Sequence, residues 1–331
     1  MHNLFQVKKK KGWSIINAYD SFKKLSALEI REKIIPYHYR PFDKKFIIYD
    51  ENLIWSRSYP TMQHMLHDNI GLCFIRQFSG EGQYSHVFVS REIVDNRTFF
   101  SSKGVIQQAP LYLYKTESKP KKSQTMMLFE PATQYDSTGR MPNISQDIIE
   151  KLERAYKKKF TSKDLTPEDI LHYSYAVLYS NIYRKKYVEF LKIDFPRIPF
   201  TIDYKLFIRV VTLGKSLAEL HLEPTKIKTI VVQFSGTGES VIEKPIFSEK
   251  EKCVYINGTK YFKGISKEMW EYNIGGYQVL KRYLDWRKGE KLDSFQYYCQ
   301  VASVIQQTTK IQREIDEVFE KIESKVVELK K

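Results

Sequence analysis

One change of rhythm limits this fold more than any other feature of the chain: short β-branched and aromatic runs give way to apolar residues at helical spacing. Ile34-Ile35-Pro36-Tyr37-His38-Tyr39 and Lys45-Phe46-Ile47-Ile48-Tyr49 read as strands around the turn-forming Arg40-Pro41-Phe42-Asp43. Asp50-Glu51-Asn52 makes a second turn before Leu53-Ile54-Trp55. Strand-like runs follow at Gly71–Phe78, His86–Val89, Thr98–Phe100 and Leu111–Tyr114, with a glycine-bearing hairpin tip, Phe78 to Gln83, between the first two. From Ile148 the pattern is helical. Ile148, Ile149, Leu152 and Tyr156 mark one helix. Thr166-Pro167-Glu168-Asp169 opens another with a capping Thr and Pro at the first helical position. That helix runs through Ile170, Tyr173, Val177 and Ile182 towards Phe190. Leu206, Val210, Leu213, Leu217 and Leu220 form a third stripe, ending near His221 and Pro224. Two more helices are expected near Gly276–Arg287 and Asp293–Leu329.

This order predicts an α+β fold. A helical lead-in covers residues 1–33, where Phe22, Leu25, Leu28 and Ile30 have helix-like spacing and Asp20 or Ser21 starts the helix. A β-rich part of mixed or antiparallel strands covers 34–143. A mainly helical part covers 144–331, with a β insertion at about 228–262 built on Ile230–Phe234 and Cys253–Asn257. Lys115 to Asn143 is polar and broken by Pro120, Pro131, Gly139 and Pro142, so it reads as a linker or long loop. Hydrophobic residues reach 42% and aromatics 14%, which supplies a sizeable core and argues against disorder.

Lys and Arg outnumber Asp and Glu by 54 to 39, a formal charge of +15. Such a surplus favours approach to a polyanion, and each phosphate neutralised releases condensed counterions. Cys73, Cys253 and Cys299 form no CxxC pair, which gives no support to a zinc ribbon or a disulfide framework. A reducing cytoplasm is the expected compartment. Met1–Lys11 shows no apolar targeting segment, and no run of 18 apolar residues predicts a membrane span.

Three segments imitate catalytic motifs. Phe234-Ser235-Gly236-Thr237-Gly238 resembles the glycine loop that holds S-adenosylmethionine, but the strand-like, Pro-terminated Val241–Pro245 follows where a helix is needed, and no Pro-Pro occurs for gripping a flipped base. A hairpin loop is expected. Leu213-Gly214-Lys215-Ser216 ends like a phosphate-binding loop, yet Arg209 stands where its first glycine belongs and the segment lies in a helical stripe. Asp194 and Asp203-Tyr204-Lys205 suggest a nuclease centre, but Asp203 is better placed to cap a helix. The histidines form no ligand pair.

Several segments together resemble one family. Tyr39-Arg40-Pro41-Phe42-Asp43 with Phe46–Asp50 and Trp55-Ser56-Arg57 resembles the start of the target-recognition region of type ISP restriction–modification enzymes. Pro110-Leu111-Tyr112-Leu113-Tyr114, Thr166–Ile170, Tyr175–Leu178 and Tyr187–Phe200 continue the similarity. So do Trp270, Ile274–Leu280, Asp285, Arg287-Lys288-Gly289 and Glu314-Ile315-Asp316. The order is collinear from about residue 34 to 316. The resemblance implies double-stranded DNA recognition in a polypeptide that also carries a nuclease, an ATP-dependent translocase and an adenine-specific methyltransferase. S-adenosylmethionine, ATP and Mg²⁺ would belong to those other modules, so no cofactor is expected in this chain. Those modules, in cis or on a separate chain, are the expected partners, and no membrane is.

On that reading, base edges are contacted by polar residues on loops beside cationic ones: Arg76, Gln77, Gln83, Gln107 and Gln108. Phosphates are contacted by Arg40, Arg57, Arg91, Arg97, Arg184, Lys185 and Lys186. Each has a bland counterpart: Arg40 pairing with Asp43 to hold its turn, or Arg184-Lys185-Lys186 as the wet face of a helix. Trp55, Trp270 and Tyr277 are expected in the core. Two rival functions stand beside this one. The first is an independent methyltransferase using Gly236 and Gly238. The second is an RNA-binding or structural partner, whose terminal helix presents Ile311, Ile315, Val318, Ile322, Lys325 and Leu329 as a seam.

Overall fold

The computed structural model describes residues 13–55, 58–79, 84–100, 104–115, 136, 138–161 and 163–328. The lead-in is two helices where one was expected. Ser14 caps α1 (Ile15–Phe22), and Ser26 with Glu29 forms a capping box on α2 (Ala27–Lys33). Serine hydroxyls compete for backbone donors, so a Ser inside a weak apolar period starts a new helix instead of continuing the old one.

Strands β1 (Ile34–Arg40) and β2 (Asp43–Ile48) form the expected antiparallel hairpin, and β5 (Ile93–Val94) joins β1 in parallel. Between them come a one-turn helix, α3 (Tyr59–Met62), and the strands β3 (Gly71–Ile75) and β4 (Val87–Ser90). A second sheet has the order β4-β3-β6, with β6 at Ile106–Pro110. Thr98–Phe100, expected as a strand, is a turn: Phe100 N–H donates to Arg97 O at 2.8 Å. The polar stretch also departs from expectation at its end, where β8 (Arg140–Pro142) pairs with β7 (Tyr112–Tyr114).

The helical half follows the periodicity with breaks. After α4 (Gln146–Tyr156) comes α5 (Pro167–Tyr179), opened by a capping box between Thr166 and Asp169 with Pro167 at its start. The apolar stripe that pointed to Phe190 is cut at Ser180, whose hydroxyl caps α6 (Asn181–Lys186), and α7 (Val188–Leu191) follows. Asp316, far along the chain, accepts from Ser180 Oγ at 2.7 Å, Asn181 Nδ2 at 3.0 Å and the Ile182 N–H at 3.2 Å, which completes the cap. Asp203 caps α8 (Tyr204–Leu222), accepting from the Lys205 and Leu206 N–H groups. The β insertion is a four-stranded antiparallel sheet of β9 (Gln233–Gly236), β10 (Ile246–Ser248), β11 (Cys253–Tyr255) and β12 (Lys260–Lys263). α9 (Lys267–Trp270), the hairpin of β13 (Asn273–Ile274) and β14 (Tyr277–Gln278), α10 (Val279–Asp285) and the long α11 (Phe295–Ser324) complete the chain.

One apolar cluster runs from Phe42 through Val87–Val89 to Phe207, Leu217 and Ile322, so strands and helices share a core. Gly214 allows α8 to approach α5: an added Cβ would lie 1.9 Å from the His172 carbonyl oxygen. At the sheet–helix boundary His221 stacks on Phe88 and donates or accepts hydrogen bonds with Tyr175 at 2.6 Å and Thr308 at 2.8 Å. Burial drives its pKa down to about 3, with the nearby Arg184 charge acting in the same direction. On the terminal helix, Ile315, Val318 and Ile322 are buried within this core, so that seam is used intramolecularly. Trp270 and Tyr277 are core residues as expected, whereas Trp55 is exposed.

Candidate nucleic-acid interface

The glycine motif is a strand end. Gly236 pairs with Lys260 across β9 and β12, at φ 100°, and a Cβ there would meet Thr259 O at 1.9 Å. Its glycine serves backbone packing, and the antiparallel ladder contradicts the strand–loop–helix arrangement of a cofactor loop. Gly214-Lys215-Ser216 lies inside α8. Asp194 pairs with arginines and not with Lys205, and among the described residues no group of three His, Cys, Asp or Glu side chains could hold a metal.

Alternation along β3 puts Cys73 and Ile75 in the core and leaves Phe74 and then Arg76 facing outwards. Arg76 is 59% exposed and its Nε lies 3.4 Å from Asp194 Oδ1, while its guanidinium covers the Phe195 ring at 5.4 Å. Phe195 in turn meets Phe74 edge-on at 5.9 Å. Gln77 donates from Nε2 to Ile193 O at 3.3 Å. The end of a strand in the first half is thus joined to the loop after α7 in the second. Arg197 projects from that loop, 93% exposed and 3.9 Å from Asp194. The Phe195 N–H, and after it the Arg76 charge, hold the Asp194 carboxyl below the usual carboxylate range.

Because Ile106 pairs with Ile75, the start of β6 lies at the same sheet end. A Cβ on Gly104 would fall 2.2 Å from Gln77 O. Four residues earlier is Phe100, whose carbonyl oxygen would lie 2.6 Å from a Cβ on Gly276. Around Phe100 stand Trp286, Arg282 and Arg40, with ring or guanidinium separations of 6.1, 5.5 and 6.0 Å. The contacts therefore form a continuous edge bearing Arg197, Arg76, Gln77, Arg97 and Arg282. It has acidic members too: Asp194, Asp95, and Asp285 at 3.9 Å from Arg282.

Three of the sequence-derived contact residues are corrected. Gln108 is buried, donating to Glu92 O at 2.8 Å and accepting from the Val94 N–H at 3.3 Å, so it ties β6 to β5. Arg40 is also buried. It lies 4.0 Å from the Tyr39 ring and 4.8 Å from Trp286, and its Nη1 donates to Asp95 at 3.1 Å. Nor does it pair with Asp43, which Arg287 takes instead at 2.7 Å. Arg184, expected as either a phosphate contact or a wet helix face, is buried. Its Nε donates to Leu178 O at 2.6 Å, its guanidinium lies 4.6 Å from the Tyr179 ring, and its Nη2 has no partner among the described residues. The break at Ser180 turns α6 so that Tyr183 and Arg184 face inwards. Side chains this buried cannot reach a phosphate without unpacking the core.

Arg91 and Arg97 are exposed, Arg91 at 3.7 Å from Asp68. Lys185 is exposed, and Lys186 pairs with Glu323 at 2.8 Å. Gln107 is exposed on β6 opposite Phe74. Arg57 and Gln83 lie outside the described residues. Sequence reasoning missed Arg197, Arg282, Phe195 and Phe100. The adjacent Phe99-Phe100 pair was a legible signal for the last, since two neighbouring side chains of a turn rarely share one environment.

Residues 2–318 match the Type ISP C-terminal specificity domain. The chain belongs to this family. Three solved structures share its fold. The ATP-dependent Type ISP restriction-modification enzyme LlaBIII bound to DNA gives a TM-score of 0.66 at 21% identity, over 92% of this chain and 20% of that one. A DrdV–DNA complex gives 0.68 at 19% identity, over 89% and 29%. A nuclease-deletion mutant of the Type ISP enzyme LlaGI with a DNA substrate mimic gives 0.59 at 20%, over 86% and 24%. The specificity domain thus spans less than a third of the length of each. No curated protein is a significant match. Among the described residues no helix is long and apolar enough to cross a membrane.

Proposed function

We propose that this type ISP specificity domain binds double-stranded DNA and reads a short target, directing methyltransferase and translocase–nuclease modules carried elsewhere. The family match over residues 2–318 carries the reading. The exposed edge from Arg197 through Arg76 and Gln77 to Arg97 and Arg282 supplies its chemistry. Arginine offers paired donors that fit guanine in the major groove, and Gln77 and Gln107 offer the donor–acceptor pair that fits adenine. Arg97, Arg91 and Lys185 contact phosphates, which set register without carrying sequence information.

Selection from a randomised duplex library by the 331-residue chain tests this. A short enriched motif is expected, with affinity falling steeply as salt rises. Equal recovery of all sequences, or binding insensitive to salt, would overturn the reading.

A further inference from the structure

We infer that Phe100 is a wedge that enters the base stack of the bound duplex; this rests on the duplex-binding reading above. Phe100 holds a backbone φ of +49°, a left-handed conformation that a bulky non-glycine side chain rarely adopts. Its ring is nevertheless 46% exposed. A strained aromatic directed into water gains little from its own fold, and such outliers gather where function needs a side chain held in place.

The loop beneath it is tightly bound. The Asp95 N–H donates to His38 O at 2.9 Å, and the Asp95 carboxylate accepts from the Arg97 N–H at 2.8 Å and from Arg40 at 3.1 Å. Thr98, fully buried, donates from Oγ1 to Asp95 O at 2.7 Å. Phe99 is buried, and its carbonyl accepts from the Gly276 N–H at 2.8 Å. Phe100 is thereby presented on a rigid base, and little ordering entropy is lost when it binds.

Its surroundings suit a polyanion with flat apolar faces. Arg282 and Arg40 flank the ring and Trp286 supports its edge, while exposed Arg97 and Lys45 extend the cationic border. Asp95 and Asp285 are already engaged by Arg40 and Arg282. Proteins that kink duplexes insert an apolar side chain between base pairs beside arginines that hold the backbone.

The test uses the full chain, the duplex it selects, the same duplex carrying 2-aminopurine, and the same duplex with one unpaired base. Wild type should raise 2-aminopurine fluorescence at one step and prefer the duplex with the unpaired base, where unstacking has already occurred. Phe100→Asn, compatible with positive φ, should abolish the fluorescence rise and weaken binding about tenfold or more. Its thermal midpoint should stay level or rise, since strain is removed, which a merely structural role would not produce. A lower midpoint with unchanged binding makes Phe100 a packing residue and overturns the wedge alone. So does motif selection without any fluorescence change. Failure of wild type to select a duplex overturns the binding reading, and the wedge with it.

Discussion

Arg287 holds Asp43 through both terminal guanidinium nitrogens, at 2.7 and 3.3 Å, across 244 residues of sequence. Asp43 is buried in the turn between β1 and β2, Arg287 follows α10, and the guanidinium also lies 3.7 Å from the Tyr283 ring. Tyr297 reinforces the junction by donating to Phe42 O at 2.9 Å. Arg287→Ala strands a buried carboxylate and should cost about 3 kcal/mol in urea unfolding. Adding Asp43→Ala should recover part of it, a coupling of at least about 1 kcal/mol. Additive losses would show that the pair contributes nothing jointly.

Gly214→Ala should be among the most damaging single-methyl changes in the chain. The new Cβ meets backbone at His172, which cannot swing aside, so α5 and α8 must separate. About 2–3 kcal/mol is expected, read as a lowered denaturant midpoint. Gly258→Ala, with open space around its Cβ position, is the control that should lose far less.

Acid should unfold the protein earlier than its carboxylates alone would. Burial pushes His38 and His86 down to about 4 and His221 to about 3, with Glu92 partly opposing the shift at His38. The unfolded chain takes up these protons near pH 6.5 and the folded chain does not. Their stabilisation is therefore complete above about pH 6.5 and is lost as pH falls towards about 4, at up to about 1.4 kcal/mol per pH unit for each histidine. Denaturation series across this window should show the decline, and His86→Gln should flatten it. A stability independent of pH between these limits would contradict the burial of all three.

Exposed and buried arginines should separate cleanly in binding measurements. Arg76→Ala and Arg197→Ala should weaken duplex binding, and any that contacts a phosphate should lower the slope of log affinity against log salt by about 1. Arg184→Met should lower stability while leaving that slope unchanged in the folded fraction. A reduced slope for Arg184→Met would mean that the core opens on DNA.

Local chemistry was readable residue by residue. Thr166-Pro167 with Asp169, and Asp203, cap the helices expected of them, because a cap is decided within four residues. The β1–β2 hairpin and the strands of the insertion were readable for the same reason. The misreadings at Ser26 and Ser180 came from weighing apolar period above a hydroxyl able to start a new helix.

What the sequence by itself determined is the succession of strands and helices, the family, and a cationic chain with an ample core. What only the tertiary structure decided is which cations face solvent. Arg40, Arg184 and Gln108 were indistinguishable from Arg97, Arg76 and Gln107 in the sequence, since the partners that bury or expose them lie tens to hundreds of residues away. The same holds for the meeting of Arg76 with Asp194 and of Phe100 with Trp286. Hydrogen bonds within one turn are short-range and write themselves into neighbouring residues, whereas burial is a property of packing that the whole chain creates together.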